Sequence, residues 1–160
     1  MNARVVVIGV GNRFRRDDGF GPLVLDAIAG DLPDEVVTNE SDGEPTRLID
    51  MWAGADLAVV IEAVRRGAAP GTVVDIDASH HLQGAVSGAR AVASHSLGLA
   101  QAMALGRVVG RTPAQLWIVG VEPLDLDLGE GLSEAVSESL EPASRRVLDH
   151  VRAAFAVADT

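Results

Sequence analysis

Short apolar runs alternate along this chain with segments in which apolar residues recur at helical spacing. The runs predict five strands, over residues 4–10, 35–38, 56–61, 72–76 and 116–121. Between and after them, the helical pattern predicts helices over residues 17–29, 48–52, 94–105 and 133–156. Strands that alternate with helices indicate an α/β fold, here a three-layer α/β/α sandwich around a mostly parallel, five-stranded twisted sheet.

The fourth strand is expected to run against the others, at an edge of the sheet. Only residues 63–71 separate it from the third strand, whereas a helical crossover between parallel strands takes about a dozen residues. The third strand is almost entirely apolar, which is typical of a central strand covered on both faces. The pattern therefore predicts one antiparallel edge strand next to a parallel core.

Residues at the helix boundaries add detail to this prediction. Asp17 is a candidate N-cap for the first helix, and Ser94 for the third. Gly106 is expected to end the third helix, because glycine commonly terminates helices. Pro142 predicts a kink in the last helix, since proline removes a backbone hydrogen bond.

Composition narrows the class of protein. With 160 residues, of which 48% are apolar and 22% charged, the chain is expected to form a single domain over residues 1–160. It contains no cysteine, which excludes thiol catalysis, thiolate metal sites and disulfides. The net charge of −10 disfavours nucleic acid and anionic membranes as partners.

The sequence offers no membrane span or signal peptide. No stretch approaches the roughly 20 apolar residues that a spanning helix needs. The first residues lead directly into the first predicted strand, without the longer apolar region of a signal peptide. We therefore expect a cytoplasmic protein.

Three side chains that are far apart in the sequence are expected to meet. Asp18, Glu62 and His95 each follow an apolar run or stand at a helix start, and in a parallel sheet these places line one crevice. Two carboxylates and an imidazole form a ligand set for a divalent transition metal. Each residue has an alternative: Asp18 could interact with the helix dipole, Glu62 could be a solvated strand end or pair with Arg65 or Arg66, and His95 could be structural.

Other motifs are weaker. Gly9 and Gly11 after the first strand suggest a dinucleotide site, with Glu40 on a ribose, but Phe14 stands where the third glycine of that fingerprint belongs. The adjacent histidines 80 and 81 are interpreted as surface residues, because neighbours in an extended loop point to opposite sides.

The acidic segment over residues 122–131 is a second weak candidate. Asp125, Asp127 and Glu130 could be taken for a calcium loop, but their order does not match the calcium-binding consensus. A solvated connection is the simpler interpretation.

Taken jointly and in order, several motifs resemble those of the hydrogenase maturation endopeptidases. These enzymes remove the C-terminal extension from the large subunit of nickel–iron hydrogenases after nickel insertion. The matching segments are residues 7–12 with 17–21, 59–63, 94–99, and 119–123 with 131–133. The resemblance covers nearly the whole chain, and it implies an endopeptidase whose partner is a large-subunit precursor.

The resemblance also implies roles for individual residues. Asp18, Glu62 and His95 correspond to nickel ligands, although the family usually has Asp where this chain has Glu62. The nickel would be supplied by the precursor, with no organic cofactor. Besides Asp18, candidate catalytic residues are Asp17 and Asp42, either of which could serve as a base for attack by water. A monomer is expected; the alternative function is a non-catalytic nucleotide- or metal-binding α/β module.

Overall fold

The computed structural model describes residues 2–82 and 97–160, with only the backbone at positions 81 and 82. The strands are β1 (Val5–Val10), β2 (Val37–Ser41), β3 (Leu57–Ala63), β4 (Val73–Asp77) and β5 (Gln115–Val121). The α-helices are α1 (Phe20–Ile28), α2 (Pro45–Trp52), α3 (Leu97–Val109), α4 (Glu134–Ser137) and α5 (Leu140–Ala158). Short 3₁₀ helices span Arg16–Gly19, Ala29–Asp31 and Ser79–Leu82.

The five strands form one sheet in the order β2-β1-β3-β5-β4. The first four in that order are parallel, and β4 pairs antiparallel with β5 at the edge. This confirms the predicted mixed sheet and the direction of its fourth strand. The short connection from β3 to β4 is the reason, because it leaves no room for a crossover helix.

Helices cover both faces of the sheet. Successive side chains of a strand point to opposite faces, so Val6 and Ile8 of β1 pack with α2 and α3, whereas Val5 and Val7 pack with α1 and α5. Trp52 is the largest side chain buried in the α2–α3 layer, and Phe20 in the α1–α5 layer. The structure is therefore the predicted three-layer sandwich.

Strand β2 lies further along the chain than the predicted residues 35–38. Val37–Ser41 pairs residue for residue with Val6–Val10 of β1. Most of these β2 residues are polar and at least partly exposed. Pairing with β1 satisfies the backbone whatever the side chains, so tertiary context overrides the weak strand propensity.

The predicted end of the third helix at Gly106 is wrong. Helix α3 continues to Val109 and ends at Gly110, whose φ of +70° is the left-handed conformation that glycine adopts readily. The amide of Arg111 donates to the carbonyl of Gly106 at 2.8 Å, and that of Gly110 to the carbonyl of Arg107 at 3.4 Å. The predicted cap Ser94 lies outside the described residues.

The predicted single, kinked terminal helix is also wrong, because the segment forms two helices, α4 and α5. Pro142 lies in the first turn of α5, where its missing N–H costs no hydrogen bond. The chain breaks at Ser139 instead, whose hydroxyl donates to the carbonyl of Gly71 at 2.5 Å. That bond ties the break to the turn before β4.

Within the described ranges, no helix combines the length and the apolar character needed to cross a membrane.

Candidate active site

Three of the predicted site residues line one cavity of about 170 Å³ at the carboxyl ends of β1 and β3. They are Asp18, Asp42 and Glu62, which come from three separate segments of the chain. The rest of the lining consists of small or apolar residues: Val10, Gly11, Gly43, Ala63 and Gly98. The carboxyl edge of a parallel sheet is where α/β proteins place their ligands.

Glu62 is placed in the cavity by the central strand. β3 extends beyond the predicted residue 61, and Glu62 pairs with Gly120 of β5. The residue is only 2% exposed, which excludes the alternative of a solvated strand end. A carboxylate removed from water in this way must be compensated by nearby polar or cationic groups.

Asp18 is positioned by the loop after β1. The amide of Asn12 donates to Oδ2 of Asp18 at 2.8 Å, which closes the loop on itself. Gly11 has a φ of +142°, and a Cβ there would lie 1.8 Å from the carbonyl oxygen of Asp18. Only glycine fits this position, so the loop holds Asp18 in a defined place beside the cavity.

Asp17 is not the helix cap that the sequence predicts, because Gly19 is the N-cap of α1, without a side-chain cap. Asp17 is fully buried, and its carboxylate accepts hydrogen bonds from the amides of Leu124 and Asp125, both at 2.9 Å. The amide and hydroxyl of Ser133 donate to it as well, at 2.7 and 2.9 Å. The side chain therefore fastens the 124–133 segment to the loop after β1.

These contacts set the charge state of Asp17. Burial by itself would raise the pKa of the carboxyl, but the hydrogen bonds from the 124–133 segment outweigh it and lower the pKa below its usual value. The group is therefore an anion at neutral pH, with both oxygens occupied by donors.

Asp42 lies in the exposed loop between β2 and α2. Oδ1 accepts from the amide of Glu44 at 3.0 Å, and Oδ2 lies 3.3 Å from a guanidinium nitrogen of Arg47. Both partners of this ion pair are mostly exposed, so the pair is weak and leaves the carboxylate accessible.

The start of α3 closes the cavity next to this loop. A Cβ on Gly98 would lie 2.3 Å from the carbonyl oxygen of Gly43, so the helix and the loop touch backbone to backbone. His95 precedes Gly98 by three positions in the sequence and lies outside the described residues. The structure thus brings Asp18 and Glu62 together without describing the third predicted metal ligand.

Rival metal sites find no support in the residues that the structure describes. Among the side chains of residues 2–80 and 97–160, no three histidines or carboxylates cluster closely enough to hold a metal ion. This includes Asp125, Asp127 and Glu130, the candidate calcium ligands. His80 is exposed, as predicted.

The dinucleotide hypothesis requires Glu40 to bind a ribose hydroxyl, but the structure gives this carboxylate a different partner. The Glu40 carboxylate accepts two hydrogen bonds from the Arg13 guanidinium, at 2.8 and 2.9 Å, instead of facing an open ribose site. The same guanidinium binds Asp26 at 2.7 and 3.0 Å, which lowers the pKa of that carboxyl. This network joins β2, α1 and the loop after β1.

Comparison with known proteins shows the family to which the chain belongs. The sequence model of the hydrogenase maturation proteases, HycI, matches residues 23–150. The chain belongs to the hydrogenase maturation protease family. It is therefore a peptidase, and the alternative of a non-catalytic module is wrong.

Individual relatives of the family extend this result. The chain is 30% identical to the hydrogenase 2 maturation protease of Escherichia coli K12, over 93% of this chain and 91% of that one. It is 31% identical to the hydrogenase expression/formation protein HoxM of Azotobacter vinelandii, over 91% and 70%. The structure of the hydrogenase maturating endopeptidase HybD from E. coli superposes with a TM-score of 0.77, at 29% identity, over 93% and 92%.

Two further features of this protease were not predicted from its sequence. One is the contact between Gly43 and Gly98, for which the only sequence signal is a glycine in each of two distant motifs. The other is a larger, mostly apolar cavity of about 660 Å³ at the amino ends of β3 and β5, beneath α5. It is lined in part by Trp117 and His150, whose rings stack at 4.2 Å, and by none of the predicted site residues.

Proposed function

We propose that this protease removes the C-terminal extension of a nickel–iron hydrogenase large-subunit precursor, and that Asp18, Glu62 and His95 bind the nickel of that precursor. The observation that carries the proposal is the shared cavity of Asp18 and Glu62. Gly98, three residues after His95, lines the same cavity. Two carboxylates and a histidine are hard-to-intermediate ligands that suit a divalent nickel ion.

In this proposal the nickel belongs to the substrate. Three protein ligands leave coordination positions for groups of the precursor, so a nickel-loaded precursor is held while an empty one is not. The ion thereby acts as a checkpoint that places the bond to be cleaved beside the cavity.

Water is the nucleophile that we propose, since the chain has neither a cysteine nor the G-x-S-x-G motif of serine hydrolases. Asp42 is the better candidate base, because its exposed carboxylate borders the cavity. For Asp17 we propose a structural role, because both of its oxygens already accept hydrogen bonds from the 124–133 segment. We further expect a monomer that works in the cytoplasm.

The test is incubation of the purified protein with nickel-loaded precursor, with the loss of the C-terminal tail followed by mass. We expect the variants Asp18→Asn, Glu62→Gln and His95→Ala each to lose cleavage by about a hundredfold or more, as for removal of a binding group in a catalytic site. Asp34→Asn, at an exposed carboxylate, is the matched control.

Nickel-free precursor provides the second control and should stay uncleaved. Cleavage at the wild-type rate by all three variants would contradict the assigned roles, and equal cleavage of the nickel-free precursor would contradict the checkpoint.

A further inference from the structure

Three large apolar side chains project into solvent from the loops next to the cavity. Phe14 is 62% exposed, Leu124 58% and Leu128 77%. Single exposed apolar residues are common on protein surfaces. These three, however, belong to two loops that are hydrogen-bonded to each other. We call the side chains of Phe14, Leu124 and Leu128 the apolar rim.

Backbone hydrogen bonds join the two loops. The amide of Gly129 donates to the carbonyl of Phe14, and the amide of Arg16 to the carbonyl of Gly129, both at 2.9 Å. The amide of Asp17 donates to the carbonyl of Asp125 at 3.0 Å. Together with the buried Asp17 carboxylate, which binds the amide of Leu124, these bonds make the rim one unit.

The unit is held in a costly conformation. Arg16 has a φ of +47°, a left-handed conformation that is unfavourable for a side chain other than glycine. A Cβ on Gly129 would lie 3.0 Å from the Arg16 guanidinium, so the loops are also closely packed there. A surface that is already ordered loses little conformational entropy on binding.

The rim is continuous with the proposed active site. Phe14 lies on the loop between Gly11 and Asp18, both of which line the cavity. A protein substrate whose scissile bond reaches Asp18 therefore lies next to this loop.

The charges around the rim are balanced. Arg16 lies 3.6 Å from Asp125, and the Arg15 guanidinium donates to the carbonyl of Leu126 at 3.3 Å in the same loop that carries Asp127. The whole chain has a net charge of −10, but this region, with its charges paired, does not add to the repulsion of an acidic partner. Its exposed apolar area suits an apolar surface on a partner protein.

We propose that the apolar rim docks the hydrogenase precursor, through an apolar surface of that protein next to the segment to be removed. The inference rests on the proposed function for the identity of the partner. It adds a contact surface that is separate from the nickel ligands, so that recognition has two parts: the ion in the cavity and the protein on the rim.

The experiment compares the wild type with the variant Phe14→Gln/Leu128→Gln, using the intact nickel-loaded precursor. We expect KM to rise at least tenfold with kcat nearly unchanged, because the rim binds substrate without touching the reacting atoms. Val108→Gln, at an 81% exposed valine in the last turn of α3, is the matched control and should leave KM unchanged. Thermal unfolding midpoints verify that the variants are folded.

Direct binding of the precursor, measured by light scattering, separates the inference from the proposed function. Weaker binding by the rim variant than by the wild type supports the inference whether or not the wild type cleaves. Equal KM and equal binding overturn it, even if cleavage establishes the proposed function. A wild-type dimer that the rim variant cannot form would overturn it as well, since the rim would then be a self-association surface. If the wild type neither binds nor cleaves the precursor, both proposals fail.

Discussion

Two neighbouring carboxylates, Asp17 and Asp18, have different environments. Both belong to the 3₁₀ helix Arg16–Gly19, in which successive side chains point about 120° apart because each turn takes three residues. Asp17 turns inward to the donors of the 124–133 segment, whereas Asp18 borders the cavity. Because the two side chains leave the helix in different directions, Asp17 is a structural anion and Asp18 is a proposed metal ligand.

Asp17→Asn is expected to lower the free energy of unfolding at pH 7 by about 2 kcal/mol, because a charged acceptor with several donors is replaced by an amide whose N–H groups face them. The pKa of Asp17 is lowered in the folded state, so its contribution is complete above about pH 4, the usual pKa of an unfolded Asp, and is lost as the pH falls through the folded value. Urea unfolding at pH 7 and pH 3 measures both effects.

The difference between wild type and Asp17→Asn should therefore shrink at pH 3. Asp34→Asn, at an exposed carboxylate, serves as the control and should change little at either pH. A difference that stays the same at pH 3 would contradict the assigned charge state.

Glu62→Asp tests whether the longer side chain is matched to this cavity. The substitution withdraws the carboxylate by about 1.5 Å, the length of one C–C bond, and the buried strand that carries residue 62 cannot move to compensate. We expect cleavage of nickel-loaded precursor to slow at least tenfold, while the thermal midpoint changes by only a few degrees. A rate equal to that of the wild type would show that the cavity accepts either length.

At the scale of elements, the contact between α3 and the β2–α2 loop shapes the cavity. The loop carries Asp42 and Gly43, and the described part of the helix starts at Leu97, two positions after the predicted ligand His95 in the sequence. Because Gly98 touches the Gly43 carbonyl without a side chain between them, the helix start and the loop are held at one distance. Any side chain at position 98 forces them apart.

Gly98→Ala is therefore expected to reduce both stability and cleavage. An alanine inside a helix normally stabilises a protein by up to about 1 kcal/mol relative to glycine, but here the added Cβ would lie 2.3 Å from the Gly43 oxygen. Gly30→Ala is the control, because a Cβ at Gly30 meets nothing within 4 Å. Thermal unfolding and the precursor assay measure the two effects; a Gly98→Ala protein as stable and active as the Gly30→Ala protein would contradict the argument.

At the scale of the whole molecule, one sheet connects two apolar layers. Trp52 belongs to the α2–α3 layer, and Trp117 packs in the α1–α5 layer. Every central strand contributes side chains to both layers, so neither layer can lose its packing without exposing the sheet that supports the other. This coupling is the physical basis for expecting a single domain.

We therefore predict one cooperative unfolding transition. The variants Trp117→Phe and Trp52→Phe each leave one tryptophan, which reports on one layer. In each variant, the denaturant midpoint from fluorescence should coincide with the midpoint from far-UV circular dichroism, as in two-state unfolding. A fluorescence midpoint that differs from the circular dichroism midpoint in either variant would mean that the layers unfold separately.

Elements with a strong local pattern were predictable. The apolar runs of β1, β3 and β5 correspond to the predicted strands within two residues, because a strand buried on both faces leaves a continuous apolar signature. The polar β2 was misplaced, since its strand state depends on pairing with β1. The end of α3 was predicted too early because Gly106 is a buried residue within the helix. A later glycine, Gly110, terminates the helix instead.

For the site, the chain order of the apolar runs was enough to predict that Asp18 and Glu62 line the same cavity, because parallel strands end at the same edge of a sheet. It could not predict the role of Asp17, whose hydrogen-bond donors lie more than 100 residues further along the chain. The sequence by itself therefore determined the sheet and the edge at which the site lies, because periodicity is a local property. Only the tertiary structure decided that Asp17 is the buried anchor and that Asp18 borders the cavity. The reason is that the hydrogen-bond donors to Asp17 are distant in sequence and come near it only when the chain folds.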